Sequence, residues 1–361
     1  VCSSDLASIL TIAAAGSETS NSSVITRVDT HQKRAYNDDI SRPKFALMDP
    51  ELTKTLPDYQ TESGCADIMM HTMERYFTNG GNMELTDVLA EGLLRTVMKN
   101  AVILHTDPAN YEARAEVMWA GSLSHNGLTG CGIACGDFMS HKLEHEMGGM
   151  FDVTHGAGLA ALWPSWARYV YKDCLPRFVR FARNVMGVTT DGTDEEIALK
   201  GIEAMVDFYH SIGMPASFHE LGIDPTDAQI DEMARRCLEA CGSALGSAKK
   251  LSLDDMIAIY HAANQRIVHT DNGQINLFFF CKSHQFVKLH CTDIDTFCIF
   301  FNSRIARRTV DFVNFRTLCH FPCDSMFSSA APYDQYFHVF SLDNRCNLNY
   351  NAMLAQPCAK K

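Results

Sequence analysis

The sequence predicts a mainly α protein: a long helical body preceded by a short, strand-rich α/β piece. Two observations carry that reading. Across residues 58–264, Leu, Val and Met recur every three to four positions in one segment after another, the period of a helix with an apolar face. Before residue 58 the apolar runs are short and β-branched, which suits strands.

The strand candidates come first. "SILTIA", "SSVITRV" and "KFALMD" read as extended, with Gly16 in the turn between the first two. "GCADIMMHTMERYF" then reads as one amphipathic helix, and "ELTDVLAEGLLRTVMKNAVILH" and "NYEARAEVMWAGSLSHNGL" as two long ones. "TDEEIALKGIEAMVDFYHSIGMP" opens on a capping box, Thr193 with Glu196, and stops at Gly213 and Pro215. "SLDDMIAIYHAA" starts at Ser252 with Asp255 three residues on. "GCGIACG" follows a helix, so it reads as a helix–helix connection rather than a phosphate loop, and Cys131 and Cys135 are expected to be buried thiols.

The two ends differ from the body. "VCSSDL" reads like a translated sequencing adapter, so residues 1–6 are expected to be a non-native leader. Residues 265–361 contain no glutamate, the last being Glu239, yet hold 13 of the 21 phenylalanines. Runs such as "NLFFFCKSHQF" keep no steady period and carry no caps, so this tail is expected to be non-native or disordered. Its Cys281, His284, His290 and Cys291 are not taken as a metal site. Residues 7–57 are the α/β remnant and 58–264 the helical domain.

Composition narrows the function. A net charge of −12 argues against nucleic acid, which needs a basic face. No apolar run is long enough to cross a membrane. There is no C-x-x-C spacing, no H-E-x-x-H and no G-x-S-x-G. What remains is a set of imidazoles and carboxylates. Asp67 and His71 lie four apart on one helix and His141 and His145 four apart on another, so each pair projects from one face. His155 stands at a helix start. One carboxylate with two or three imidazoles is a mixed N/O set suited to zinc or ferrous iron. Each residue taken singly is equally consistent with a solvated or core-satisfied side chain.

Five stretches together carry a resemblance: "LTIAAAGSETSNSSVIT", "FALMDPELTKTLP", "GCADIMMHTMERY", "GDFMSHKLEHEMGGMFDVTHGAGLAALWPSW" and "LSLDDMIAIYHAA". Through them residues 9–263 resemble the iron-containing (group III) alcohol dehydrogenase family, in its butanol-dehydrogenase-like branch of NADPH-dependent aldehyde reductases. The resemblance implies the helical metal-binding domain of a dehydroquinate-synthase-like two-domain fold, preceded by a remnant of the dinucleotide-binding domain. It implies metal ligation of Fe2+ or Zn2+ by Asp67, His71, His141 and His155, and places His145 beside the nicotinamide of NAD or NADP. Ser17, Ser20, Lys33 and Leu52 fall near the family's cofactor contacts. The implied reaction is hydride transfer between NAD(P)(H) and short-chain alcohols or aldehydes, in a cytoplasmic homodimer. A glycerol-dehydrogenase-like polyol enzyme is the alternative within that class. Two departures stand out. The family's Gly-Gly-Gly-Ser segment, which cradles the pyrophosphate, does not occur in this chain, and residues 13–15 are alanines where the family has Pro and Thr. The chain as written is therefore expected to hold metal and to be inactive as a dehydrogenase, a metal-binding fragment or pseudogene product.

Overall fold

The computed structural model describes residues 6–81, 83–242 and 245–265. The strand-rich piece is two small sheets. Strand β1 (Ala7–Ile9), the hairpin strands β2 (Ser22–Arg27) and β3 (Gln32–Asn37), and β4 (Phe45–Leu47) follow in order. β1 pairs in parallel with β4, and β2 pairs antiparallel with β3 from Ser22 opposite Asn37 to Arg27 opposite Gln32. Gly16 takes the left-handed conformation (φ 61°) in the turn that leads into the hairpin. A 3-10 turn, Pro50–Thr53, hands the chain to the helices.

Among the described residues ten helices follow: α1 (Asp58–Tyr76), α2 (Glu84–Thr106), α3 (Tyr111–His125), α4 (Met139–Phe151), α5 (His155–Val170), α6 (Leu175–Asn184), α7 (Asp194–Ser211), the single turn α8 (Phe218–Leu221), α9 (Asp227–Cys241) and α10 (Leu253–Ala263). Their starts are chemically marked. Asn110 caps α3, and capping boxes open α7 (Thr193 and Glu196), α9 (Thr226 and Gln229) and α10 (Ser252 and Asp255), each satisfying orphan backbone N–H groups.

Helix α1 is central, packing against α2, α3 and α5. From Thr61 to Tyr76 every residue but Arg75 is buried, so α1 is not the amphipathic helix its sequence suggests. It is enclosed on all sides, and its polar residues must find partners indoors. At its C-terminal end Phe77 stacks on Phe178 at 4.2 Å between centroids and meets Trp166 edge-on at 6.0 Å. Burying each such ring stabilises the fold by about 1.5–3 kcal/mol. Beside them Arg177 donates two hydrogen bonds to Asp87 at 2.6 and 2.7 Å and a third to the Tyr76 carbonyl at 2.9 Å. Fully buried Tyr260 on α10 donates its hydroxyl to the Leu143 carbonyl of α4 at 2.7 Å, fastening α10 to the helix that carries two of the histidines.

The connection between α3 and α4 corrects one expectation. Cys131 and Cys135 are exposed. The segment turns at Gly127 and Gly132, both at positive φ, and leaves the core, so cysteine's usual preference for burial has nothing to act on. The expected leader lies outside the described residues except for Leu6, and the expected tail except for Gln265.

Candidate metal centre

Asp67, His71 and Glu74 occupy positions i, i+4 and i+7 of α1 and so share a face, and all three are buried. His141 and Glu144 come from α4, and His155 is the first residue of α5. The close approach of α5 to α1 depends on Gly156: a Cβ there would lie 2.0 Å from the Ser63 carbonyl oxygen.

These helices bring four expected residues together. Asp67 Oδ1 is 3.3 Å from His71 Nδ1, 3.6 Å from His141 Nε2 and 3.8 Å from His155 Nε2. Among the described residues, both Asp67 oxygens, His71 Nδ1 and His141 Nε2 are buried with no hydrogen-bond partner. One unpartnered buried polar atom is costly, and several converging on one point, with ligand atoms of Asp67, His71 and His141 all within 4.8 Å, are what a cation would satisfy. The donor set, one carboxylate and three imidazoles, fits a divalent transition metal.

Two buried glutamates that sequence reasoning missed complete the surroundings. Glu74 Oε1 lies 3.1 Å from His141 Nδ1, and Glu144 Oε2 holds a short contact to His155 Nδ1. In each case a carboxylate takes one ring nitrogen and leaves the other facing Asp67, the arrangement that fixes the tautomer of a metal-binding histidine. A signal was present: Glu74 and Glu144 each follow a candidate histidine by three residues on the same helix.

Electrostatics follow the packing. Burial pushes the Asp67 carboxyl up, but the imidazoles of His141 and His155 outweigh it and leave it below its ordinary value. Burial, aided by the neighbouring His125, His141 and Arg75, carries His71 well below the usual imidazole range. For His141, burial is outweighed by the carboxylates of Asp67 and Glu74, which hold it up to about 9. Glu144 is likewise desolvated, yet His155 and Lys33 draw it well below the carboxylate range.

His145 sits one turn beyond His141, its ring 6.4 Å from that of His141 and 5.7 Å from that of His155. Burial lowers its pKa strongly, so it is neutral at pH 7. Its ring does not approach Asp67 within ion-pair distance, as those of His71, His141 and His155 do. Of the expected cofactor residues, Lys33 reaches in from β3, with Nζ 3.2 Å from His155 Nδ1 and 3.4 Å from Glu144 Oε2. The Ser20 hydroxyl accepts the Ser22 N–H at 2.9 Å, Ser17 is half-buried in the same turn, and Leu52 is exposed on the 3-10 turn. Among the described residues no hydrogen bond joins these three to the histidine cluster. A shallow cleft lined by Ile12, Ala14, Gln60, Ser63, Gly64 and Gly156 reaches Asp67.

Comparison with known proteins bears on the whole helical body. The model of the Fe-containing alcohol dehydrogenase family, C-terminal, matches residues 61–264. The chain is 38% identical over 256 residues to NADH-dependent butanol dehydrogenase A of Clostridium acetobutylicum, covering 71% of this chain and 65% of that one. It is 32% identical over 255 residues to the NADPH-dependent aldehyde reductase YqhD of Escherichia coli, again covering 71% and 65%. Among solved structures, NADH-dependent butanol dehydrogenase A of Thermotoga maritima superposes with a TM-score of 0.68 at 34% identity, over 72% of this chain and 66% of that one. The chain thus spans 65% of the length of the two curated relatives.

Proposed function

The chain belongs to the Fe-containing alcohol dehydrogenase family, and from that premise we propose that it serves metal-dependent hydride transfer between NADH or NADPH and a short-chain aldehyde or alcohol. The observation that carries the reading is the convergence of unpartnered buried polar atoms from Asp67, His71 and His141 on one point, with His155 beside them. These four residues would hold iron or zinc. When bound, the divalent ion supplies Lewis acidity toward a carbonyl or hydroxyl oxygen.

The chain's own residues do the rest. Asp67 is the single anion among the four, so the site stays net positive around a divalent ion. Glu74 and Glu144 hold the rings of His141 and His155 so that their Nε2 atoms face Asp67. His145, half-buried and neutral one turn from His141, faces the nicotinamide or relays a proton to the substrate oxygen. Ser17, Ser20, Lys33 and Leu52 contribute to the cofactor surface, with Lys33 at the edge of the histidine cluster. Among the described residues no helix is long and apolar enough to cross a membrane. A cytoplasmic homodimer belongs to the same proposal.

Metal analysis combined with a butanal-dependent NADH and NADPH oxidation assay on the purified chain tests the proposal. Stoichiometric metal with turnover supports it, and stoichiometric metal without turnover leaves a metal-binding body that does not reduce the aldehyde. If the chain takes up no stoichiometric iron or zinc, or if Asp67→Ala leaves uptake unchanged, the metal site is wrong.

A further inference from the structure

The three imidazoles around Asp67 are not held alike. His141 leans on Glu74 and His155 on Glu144. His71 has no such partner: among the described residues, Asp67 is the only carboxylate within ion-pair distance of its ring. Yet a ring that is to point Nδ1 steadily at Asp67 must be fixed by something.

The neighbour present is another imidazole. His125, the last residue of α3, places its ring 4.0 Å from that of His71, centroid to centroid, at an interplanar angle of 53°. His125 is itself held on both sides. Arg75 Nη2 lies 3.2 Å from His125 Nδ1, and a guanidinium only donates, so Nδ1 accepts and the single ring proton is on Nε2. Behind it the turn at Gly16 presses close: a Cβ on Gly16 would come within 2.9 Å of His125 Cβ. The same Arg75 reaches back to the ligand helix, donating from Nη1 to the His71 carbonyl at 2.6 Å and to the Ser124 carbonyl at 3.1 Å. Its guanidinium also lies over the Phe138 ring at 5.0 Å. Arg75 thereby ties the backbone of His71 to the ring packed against its side chain.

We propose that His125, packed against the His71 ring and clamped by Arg75, is the positioning residue that orients His71 as a metal ligand, filling the role that a carboxylate fills for His141 and His155. The inference rests on the metal-site reading above. His125 is not itself counted among the ligands. A ring packed there only to fill space would leave metal affinity and ligand geometry unchanged on truncation once the protein is folded.

The test uses the full chain stripped of metal and titrated with Co2+ in competition with a chelator, read by affinity and by the visible d–d absorption that reports ligand geometry. Helix content is checked by circular dichroism. Wild type should bind one Co2+, and Asp67→Ala should abolish it. His125→Leu should weaken binding roughly 10- to 100-fold, the range for outer partners of metal ligands, and shift the d–d bands. His125→Phe, which keeps a ring to stack, should recover most of the affinity and the bands. If His125→Leu does not fold, His125→Gln, which keeps an acceptor for Arg75 without a ring, takes its place with the same expectation. Wild-type failure to bind Co2+ overturns the metal site and this inference with it. A wild type that binds normally while the ringless variants match it, or while His125→Phe is no better than they are, overturns the role of His125 alone.

Discussion

One oxygen of Glu74 holds His141 at two points, the ring Nδ1 at 3.1 Å and the backbone N–H at 2.9 Å. A side chain of the central helix thus sets both the ring of a candidate ligand and the first turn of the helix carrying it. The Nδ1–H of His141 donates to Glu74, and its Nε2 is left facing Asp67.

Removing that carboxylate should be felt at the metal. Glu74→Ala is expected to lower the affinity for Zn2+ roughly 10- to 100-fold, with Glu74→Gln intermediate because its amide oxygen can still accept. Chelator competition reads this directly. Equal affinity in wild type and Glu74→Ala would remove Glu74 from the site.

Gly156 makes a second, steric prediction. A methyl group 2.0 Å from the Ser63 carbonyl forces α5 away from α1 and carries His155 off Asp67. Gly156→Ala should therefore cut metal affinity at least about tenfold, as for loss of a supporting residue. Gly92 of α2 is the control, since a Cβ there meets nothing within 4 Å. Gly92→Ala should raise stability by about 0.5–1 kcal/mol with no change in metal binding.

The Arg177 and Asp87 pair predicts stability without chemistry. Their side chains are 13% and 7% exposed, so removing the acid strands a desolvated guanidinium. Asp87→Ala should cost about 3–5 kcal/mol in urea unfolding. The folded fraction should still bind metal as wild type does. A loss under about 1 kcal/mol would mean that Arg177 finds another partner or water.

Asp255 makes a pH prediction. Burial pushes its carboxyl up, but hydrogen bonds from the Tyr169 hydroxyl and from the Ser252 backbone and hydroxyl outweigh it, leaving the pKa below the ordinary 3.8. A depressed folded pKa stabilises the fold above the unfolded value and loses that contribution as pH falls through the folded one. Asp255→Asn should therefore be less stable than wild type at neutral pH, and the gap should close below pH 3.8. Urea midpoints across the acid range measure it, and a gap that stays constant with pH would refute the assignment.

Much of this was legible because it is local. The caps of α7 and α10 are spelled out in four residues each, and the pairs Asp67 with His71 and His141 with His145 are fixed by helix geometry. Geometry separated the second pair: His141 faces Asp67, whereas His145 does not reach it. Harder to read was whatever depends on what a helix is packed against. Helix α1 has an apolar stripe, yet α2, α3 and α5 cover it all round, so Glu74, which the amphipathic reading passed over, is an interior partner. Cys131 and Cys135 failed in the opposite sense, since residue type suggested burial and the glycine turns took them outside. Arg75 and His125 meet only when α1 and α3 pack, at a separation of 50 positions that no periodicity records.

The hydroxyl of Tyr260 that fastens α10 to Leu143 also puts the parts of the centre in an order of time. During synthesis, α1 leaves the ribosome with Asp67 and His71, α4 and α5 follow with the remaining histidines, and the tyrosine that anchors α4 emerges more than a hundred positions after the segment it holds. Contacts at such separation close late. Until α10 docks, α4 lacks that anchor, so the helix bearing His141 and His145 takes its final place only when α10 does.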